Sequence, residues 1–421
     1  MADSINEHLA DEERTLCDGV RILSLDGGGV RGVCSLKILQ DLQDRLGGKE
    51  PYEVFDVICG TSTGGLIDIL LGILKFRLDK CVEIYKTMSK KVFRRRGWKK
   101  IATPIVAKAT CGFLYDPGEL ENVVKQCVRE KLGNADVRLD DIRVRASPEK
   151  KIPHVFVVAR TSTSDSITIF RNYKYGAYKP NKPMKAKIWE AARATSAAPT
   201  FFPPMKIDDV EYIDGGIGNN NPTLEASNEV QNMLKLKELD IACVFSIGTG
   251  LKDFQYSKLG LLATLRTIKR TAMGGENVHR QKMFAQYRKE QSVLYERVNP
   301  DAAVASVKID QHQSISQLIE FADAYLKKPE VDDTMERVSE RLAASLQVLK
   351  EKEDINQSFE QHTSVSSDQR RVEWRNIRST VATTDHLSHV FVCTVDPQDR
   401  LSRLRGGAVD PPEREPVRMY M

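Results

Sequence analysis

Short apolar runs of strand length alternate along this chain with stretches whose apolar residues fall three or four apart, from residue 20 to about 353. That rhythm predicts strands and helices in turn, the pattern of one α/β domain. Residues 20–25 read as the first strand, followed by three glycines and a helix over 31–46. Residues 54–59 read as a second strand, and 64–75 as a helix apolar nearly all round, which belongs in the centre of a core. Residues 78–93 carry Cys81, Tyr85, Met88 and Val92 at amphipathic spacing. Further strands are predicted at 154–159, 166–171, 210–213, 241–247 and 292–298, and helices at 117–131, 186–196, 222–235, 258–272, 314–326 and 331–353. After 353 the composition turns to Ser, Thr, Gln, Arg and Pro, which predicts a mostly disordered tail with one strand pattern at 390–395. The expected organisation is an N-terminal segment over 1–19, a domain over 20–353 and a tail over 354–421.

Composition narrows the classes. Of 421 residues, 41% are hydrophobic and 29% charged, which excludes a collagen, a wholly disordered chain and a multi-pass membrane protein. The balance of 63 basic and 58 acidic residues gives +5, too weak a bias at this length to signal nucleic-acid binding without a local cluster. Residues 1–14 are acidic and lack an apolar stretch, the opposite of a secretory signal. Eight cysteines without a CxxC pair read as reduced, buried thiols, so the expected place is the cytoplasm.

Three stretches carry chemistry. Residues 60–64 (GTSTG) follow an apolar strand and open a buried helix, the strand–turn–helix in which a serine sits exposed on a sharp turn. The bland alternative is a serine capping a helix. Residues 26–32 (DGGGVRG) also join a strand to a helix, and the amides of Gly27, Gly28 and Gly29 are unshielded by side chains. Such a cradle suits a phosphate or the oxyanion of acyl transfer. Gly27, Gly29 and Gly32 match a dinucleotide fingerprint as well, but the second strand ends in Cys59-Gly60-Thr61-Ser62 where that reading needs a carboxylate. In residues 212–216 (YIDGG) a strand delivers Asp214 to a glycine turn, whose bland reading is an Asx turn.

Taken together and in this order, the three stretches resemble the signature blocks of patatin-like phospholipases. Residues 51–65, 188–202 and 245–250 are similar too, particularly to fungal members, and the likeness covers about 20–250 well. The resemblance implies a three-layer α/β/α fold with a mostly parallel sheet and a helical C-terminal extension. It implies a Ser–Asp dyad with Ser62 as nucleophile and Asp214 as base, and an oxyanion hole at Gly27, Gly28 and Gly29. The expected activity is calcium-independent hydrolysis of fatty-acyl esters of phospholipids or related lipids through an acyl-enzyme, with no cofactor and no metal. A histidine-assisted triad remains open through His279 or His312, with His362, His386 and His389 falling in the tail. Arg31 either anchors the loop, contacts a phosphate head group or is an exposed first-turn residue. Asp68 departs from the family, which has a small apolar residue there; among Ile67, Ile69 and Leu70 it implies a buried ion pair or a helix turned to expose it.

Residues 89–100 hold seven basic residues of twelve (Lys90, Lys91, Arg94, Arg95, Arg96, Lys99 and Lys100) interleaved with Phe93 and Trp98. That segment is a solvated connection or a transient contact with an anionic membrane surface, rather than a nucleic-acid site. His386, His389 and Cys393 lack a fourth partner at zinc spacing. The alternatives to a phospholipid hydrolase are a neutral-lipid hydrolase or acyltransferase, and a non-catalytic lipid-binding or signalling module.

Overall fold

Strand β1 (Gly19–Leu25) begins the computed structural model's described residues, which are 19–94, 113–146, 152–164, 166–173, 185–234, 240–250 and 293–363. The predicted helix at 258–272, the strand pattern at 390–395, His386, His389, Cys393 and residues 95–100 lie outside them. After β1 come α1 (Gly32–Arg45), a short α2 (Pro51–Val54), β2 (Val57–Thr61) and α3 (Thr63–Asp68), then α4 (Leu78–Val92) and α5 (Pro117–Leu132). Strands β3 (His154–Thr161) and β4 (Ile167–Arg171), helix α6 (Ile188–Thr195), and strands β5 (Met205–Ile207) and β6 (Val210–Asp214) follow. The order closes with α7 (Thr223–Leu234), β7 (Asp240–Ile247), β8 (Leu294–Val298), α8 (Ala302–Ser306), α9 (Ile315–Leu326) and α10 (Pro329–Thr363).

The strands form one mixed sheet in the order β5-β6-β3-β2-β1-β7-β8, with β4 also paired to β3. Strands β3, β2, β1, β7 and β8 are parallel; β4, β5 and β6 enter by antiparallel pairing. Alternation of side chains sends Leu23, Ile58 and Val157 into one apolar cluster and Ile22, Cys59 and Phe156 into another. Helices α1, α3, α4, α6 and α9 join the first cluster, and α7 covers the second with Ala226 and Val230. The result is an α/β/α sandwich with a mostly parallel sheet, as the resemblance implied. The inner parallel strands β2 and β3 bury residues on both faces, as a place between two helical layers requires.

Five elements differ from the periodicity. The apolar run at 54–59 is split: Pro51 and the reciprocal Glu50–Glu53 caps make a helical turn, and the strand starts at Val57 and runs on to Thr61. The helix at 64–75 is α-helical only to Asp68, then a π-helix over Ile69–Ile73. Gly72 packs so closely on Val155 there that a β-carbon would overlap it. The last helix runs on to Thr363, because residues 354–363 contain neither Gly nor Pro. Strand β5 and helix α8, of 3 and 5 residues, are too short to leave a period in the sequence. The chain divides into two units, 1–352 and 353–421; the sheet and the site belong to the first.

Candidate active site

Register fixes the centre of the site. Thr61 at the end of β2 stands opposite Val158, and the next residue of β3, Ala159, stands opposite Asp214. Strand β3 thus acts as a ruler that brings Ser62, one residue past Thr61, to the aspartate 152 positions away. Ser62 Oγ donates to Asp214 Oδ2 at 2.6 Å.

Ser62 has φ 54° and ψ −120°, a conformation that costs a non-glycine residue about 1–3 kcal/mol. Its neighbours hold it there. The Ser62 amide donates to Thr195 Oγ1 at 2.8 Å, and that hydroxyl donates to Val158 O at 2.6 Å. Gly60 and Gly64 let the turn close, since a β-carbon on Gly60 would overlap Gly64 and one on Gly64 would overlap the Leu25 carbonyl. Thr195 lies within the similar stretch 188–202, but only folding shows that its hydroxyl reaches the serine turn.

Asp214 is 4% exposed, and its Oδ1 accepts from the Gly216 amide at 2.6 Å. Burial pushes its pKa up from 3.8 to about 6; the hydrogen bonds from Ser62 and Gly216 and the charge of Arg193 pull the other way and offset this only in part. Arg193 is itself almost wholly buried, its Nη2 donating to Pro203 O at 2.6 Å, and desolvation lowers its pKa to about 10. Ser62 and Asp214 meet with no group between them. His312 lies in a 3-10 turn (His312–Ser314), and neither Ser62 nor Asp214 is among its hydrogen-bond partners. His279, His386, His389 and the side chain of His362 lie outside the described residues.

The glycine loop lies on the other side of Ser62. Its three amides are not all open, as the run of glycines suggested. Gly27 N–H donates to Asn220 O at 3.3 Å and Gly28 N–H to Thr63 Oγ1 at 3.0 Å. Gly29 N–H has no partner among the described residues. Gly29 has φ +58° and lies under Ile309, where any side chain would collide with the Ile309 backbone. The Gly27 carbonyl accepts from Thr249 Oγ1 at 2.6 Å and from Asn220 Nδ2 at 3.2 Å. Arg31 is buried, not exposed; its Nε reaches Gly28 O at 3.4 Å and its side chain lines the cavity above the loop.

That cavity measures about 1170 Å³ including its open mouth. Ser62, Asp214 and the glycine loop lie at its polar end, while Met88, Val92, Phe93, Leu120, Phe201 and Phe202 line an apolar arm. Asp68 matches neither expectation held for it. It is fully buried, and neither carboxylate oxygen has a hydrogen-bond partner among the described residues. Burial raises its pKa well above 3.8, and its carboxyl group packs against Gly60, where a β-carbon would overlap it. No group of three metal-binding side chains occurs among the described residues.

Phospholipase A I of Arabidopsis thaliana is 31% identical to this chain over 284 residues, which cover 55% of this chain and 21% of that protein. Human calcium-independent phospholipase A2-gamma is 30% identical over 268 residues, covering 62% and 32%. Patatin-like protein 2 of Oryza sativa subsp. indica is 31% identical over 266 residues, covering 58% and 60%. The chain therefore spans about a fifth to a third of the length of the first two relatives. These plant and mammalian proteins do not bear on the likeness to fungal members. The solved structure of VipD from Legionella pneumophila aligns over 72% of this chain and 67% of its own, at 16% identity and a TM-score of 0.33. The family model for patatin-like phospholipases matches residues 23–227. That segment begins in β1 and ends inside α7, taking in both the serine turn and the aspartate strand, and by it the chain belongs to the patatin-like phospholipase family.

Proposed function

We propose that the protein hydrolyses fatty-acyl esters of phospholipids or related acyl lipids through an acyl-enzyme on Ser62. The observation that carries this is the 2.6 Å hydrogen bond from Ser62 Oγ to a buried Asp214 at the polar end of an apolar cavity. Ser62 Oγ attacks the ester carbonyl carbon as Asp214 takes its proton. The new oxyanion is held by the Gly29 amide, with the Gly28 amide turning from Thr63 Oγ1 as charge develops. The Gly27 amide stays on Asn220 and keeps the loop in place. Asp214 returns the proton to the departing alcohol or lysolipid, and water then releases the fatty acid by the same steps.

The acyl chain occupies the arm lined by Met88, Val92, Leu120 and Phe201, and Arg31 faces the head-group end, where its cation favours a phosphate. Lys90, Lys91 and Arg94 are exposed at the end of α4, while Met88 and Val92 of the same turns face the cavity. This end of α4 rests on an anionic lipid surface and places the cavity mouth beside it. No described helix is long and apolar enough to cross a membrane.

A fluorophosphonate probe and a lipid panel with product identification test the reading. Wild-type protein is expected to label on Ser62 and to release fatty acid; Ser62→Ala should do neither while melting normally. Near-wild-type turnover by Ser62→Ala would refute the mechanism.

A further inference from the structure

Asp26, the last residue before the glycine loop, is buried against an arginine that comes from far along the chain. Arg297 of β8 donates through Nη2 to Asp26 Oδ2 at 2.8 Å and through Nη1 to Oδ1 at 3.3 Å. Arg297 Nη1 also donates to Ser246 Oγ on β7 at 2.7 Å. The two side chains are 3% and 4% exposed. Ser246 is tied in turn to Thr223 Oγ1 at 3.1 Å, and Thr223 Oγ1 to Ser24 Oγ of β1 at 2.8 Å. One guanidinium thus joins the carboxyl ends of β1, β7 and β8 at the point where β1 turns into the loop. A buried ion pair of this kind adds little net stability compared with apolar side chains of similar volume, so its lasting effect is geometric.

The geometry bears on the loop. Asp26 N–H donates to Ile247 O at 3.0 Å, and Val30 N–H donates to Ile309 O at 2.8 Å, so the loop is held at both ends. Between these anchors lies Gly29, whose amide alone of the three has no partner among the described residues. Its direction is set by the chain entering through Asp26 and the chain leaving under Ile309. We infer that Arg297 is the positioning residue of this loop, fixing through its fork on Asp26 the direction in which the glycine amides face Ser62. The inference rests on the acyl-transfer reading above. Arg297 touches no reacting atom, and it lies beyond residues 23–227, the segment matched by the family model.

Removing one partner alone would leave a buried charge unpaired and risks unfolding the chain. The informative variants are Asp26→Asn combined with Arg297→Met, which removes both charges at similar volume, and Arg297→Lys, which keeps the charge and loses the planar fork. Each is measured with wild type for melting temperature, for the rate constant of fluorophosphonate labelling, and for kcat and KM on a water-soluble fatty-acyl ester. The double variant is expected to melt near wild type, keep KM within about twofold and lose about a hundredfold in both kcat and labelling rate, the penalty of a displaced reacting geometry. Arg297→Lys should lose about tenfold in the same two quantities.

A folded double variant that labels at the wild-type rate would overturn the inference, as would a loss confined to KM. If the double variant does not fold, Arg297→Lys decides: unchanged kcat at unchanged melting temperature overturns the inference, and lowered kcat supports it. Wild-type protein that fails to label at all counts against the acyl-transfer reading instead, so the two failures are told apart.

Discussion

Burial lifts the Asp214 carboxyl from 3.8 to about 6, and that one change sets both a pH limit on activity and a stability cost. The folded value lies above the unfolded one, so the protonated form favours the folded state. That contribution is complete below about 3.8 and is lost as pH rises through about 6. Above that pH the native chain carries a buried carboxylate at a cost of about 3 kcal/mol. On the proposed mechanism activity runs the opposite way, because Asp214 must be ionised to accept the Ser62 proton. We expect kcat/KM on a soluble acyl ester to fall by one protonation below about pH 6. Asp214→Asn keeps an acceptor for Gly216, so denaturant unfolding should match wild type at pH 4 and exceed it by about 1–3 kcal/mol at pH 8, with turnover gone. Equal stability of the two proteins at pH 8 would remove the argument. Ser62 and Asp214 were legible because each stands in a short motif between a strand and a turn. Thr195 and Arg193 were not, because one acts through a hydroxyl 133 residues from Ser62 and the other through its field at Asp214.

Among the elements, the turn from β2 into α3 carries the greatest constraint. Its strand and helix were readable from apolar runs, although the strand boundary slipped where Pro51 and the Glu50–Glu53 caps impose a turn of helix on an apolar stretch. The π-helix after Asp68 was not readable, since an extra residue per turn leaves the apolar pattern unchanged when every position is buried. What the glycines of this turn do is steric. A β-carbon on Gly64 would overlap the Leu25 carbonyl and come 2.8 Å from that of Asp26, neither of which can swing aside as a side chain could. Gly64→Ala should therefore cost about 3 kcal/mol and displace both the serine turn and the glycine loop. Gly133, the left-handed cap of α5, has nothing within 4 Å of its would-be β-carbon. Gly133→Ala should cost only about 1 kcal/mol for the backbone conformation. Denaturant unfolding of the pair checks the difference, and equal losses would show that packing at Gly64 is not the constraint.

Across the whole molecule, the carboxyl ends of β1, β2, β7 and β8 converge on one edge of the sheet, where open α/β sheets place their ligands. The sequence blocks showed which turns lie at that edge but not what holds them. The hydrogen bonds joining Asn220, Thr249 and Arg297 to the loop span 193, 222 and 271 residues, and no local pattern encodes such separations. The same scale governs how the cavity meets its substrate. Helix α4 points Met88 and Val92 into the cavity and leaves Lys90 and Lys91 exposed, with Arg94 exposed just past its end, so this end of the helix carries both cavity lining and surface charge. Near an anionic bilayer each such cation is worth about 1 kcal/mol. Replacing all three with alanine should weaken binding to anionic vesicles by about 3 kcal/mol, roughly a hundredfold, at low ionic strength. The difference should shrink as salt shortens the screening length. Turnover of a monomeric, water-soluble acyl ester should stay within about twofold, because the side chains that line the cavity are untouched. Vesicle sedimentation with anionic and uncharged lipids, run beside that soluble assay, separates docking from chemistry. A triple variant that sediments with anionic vesicles as wild type does would show that this end of α4 is only a solvated connection.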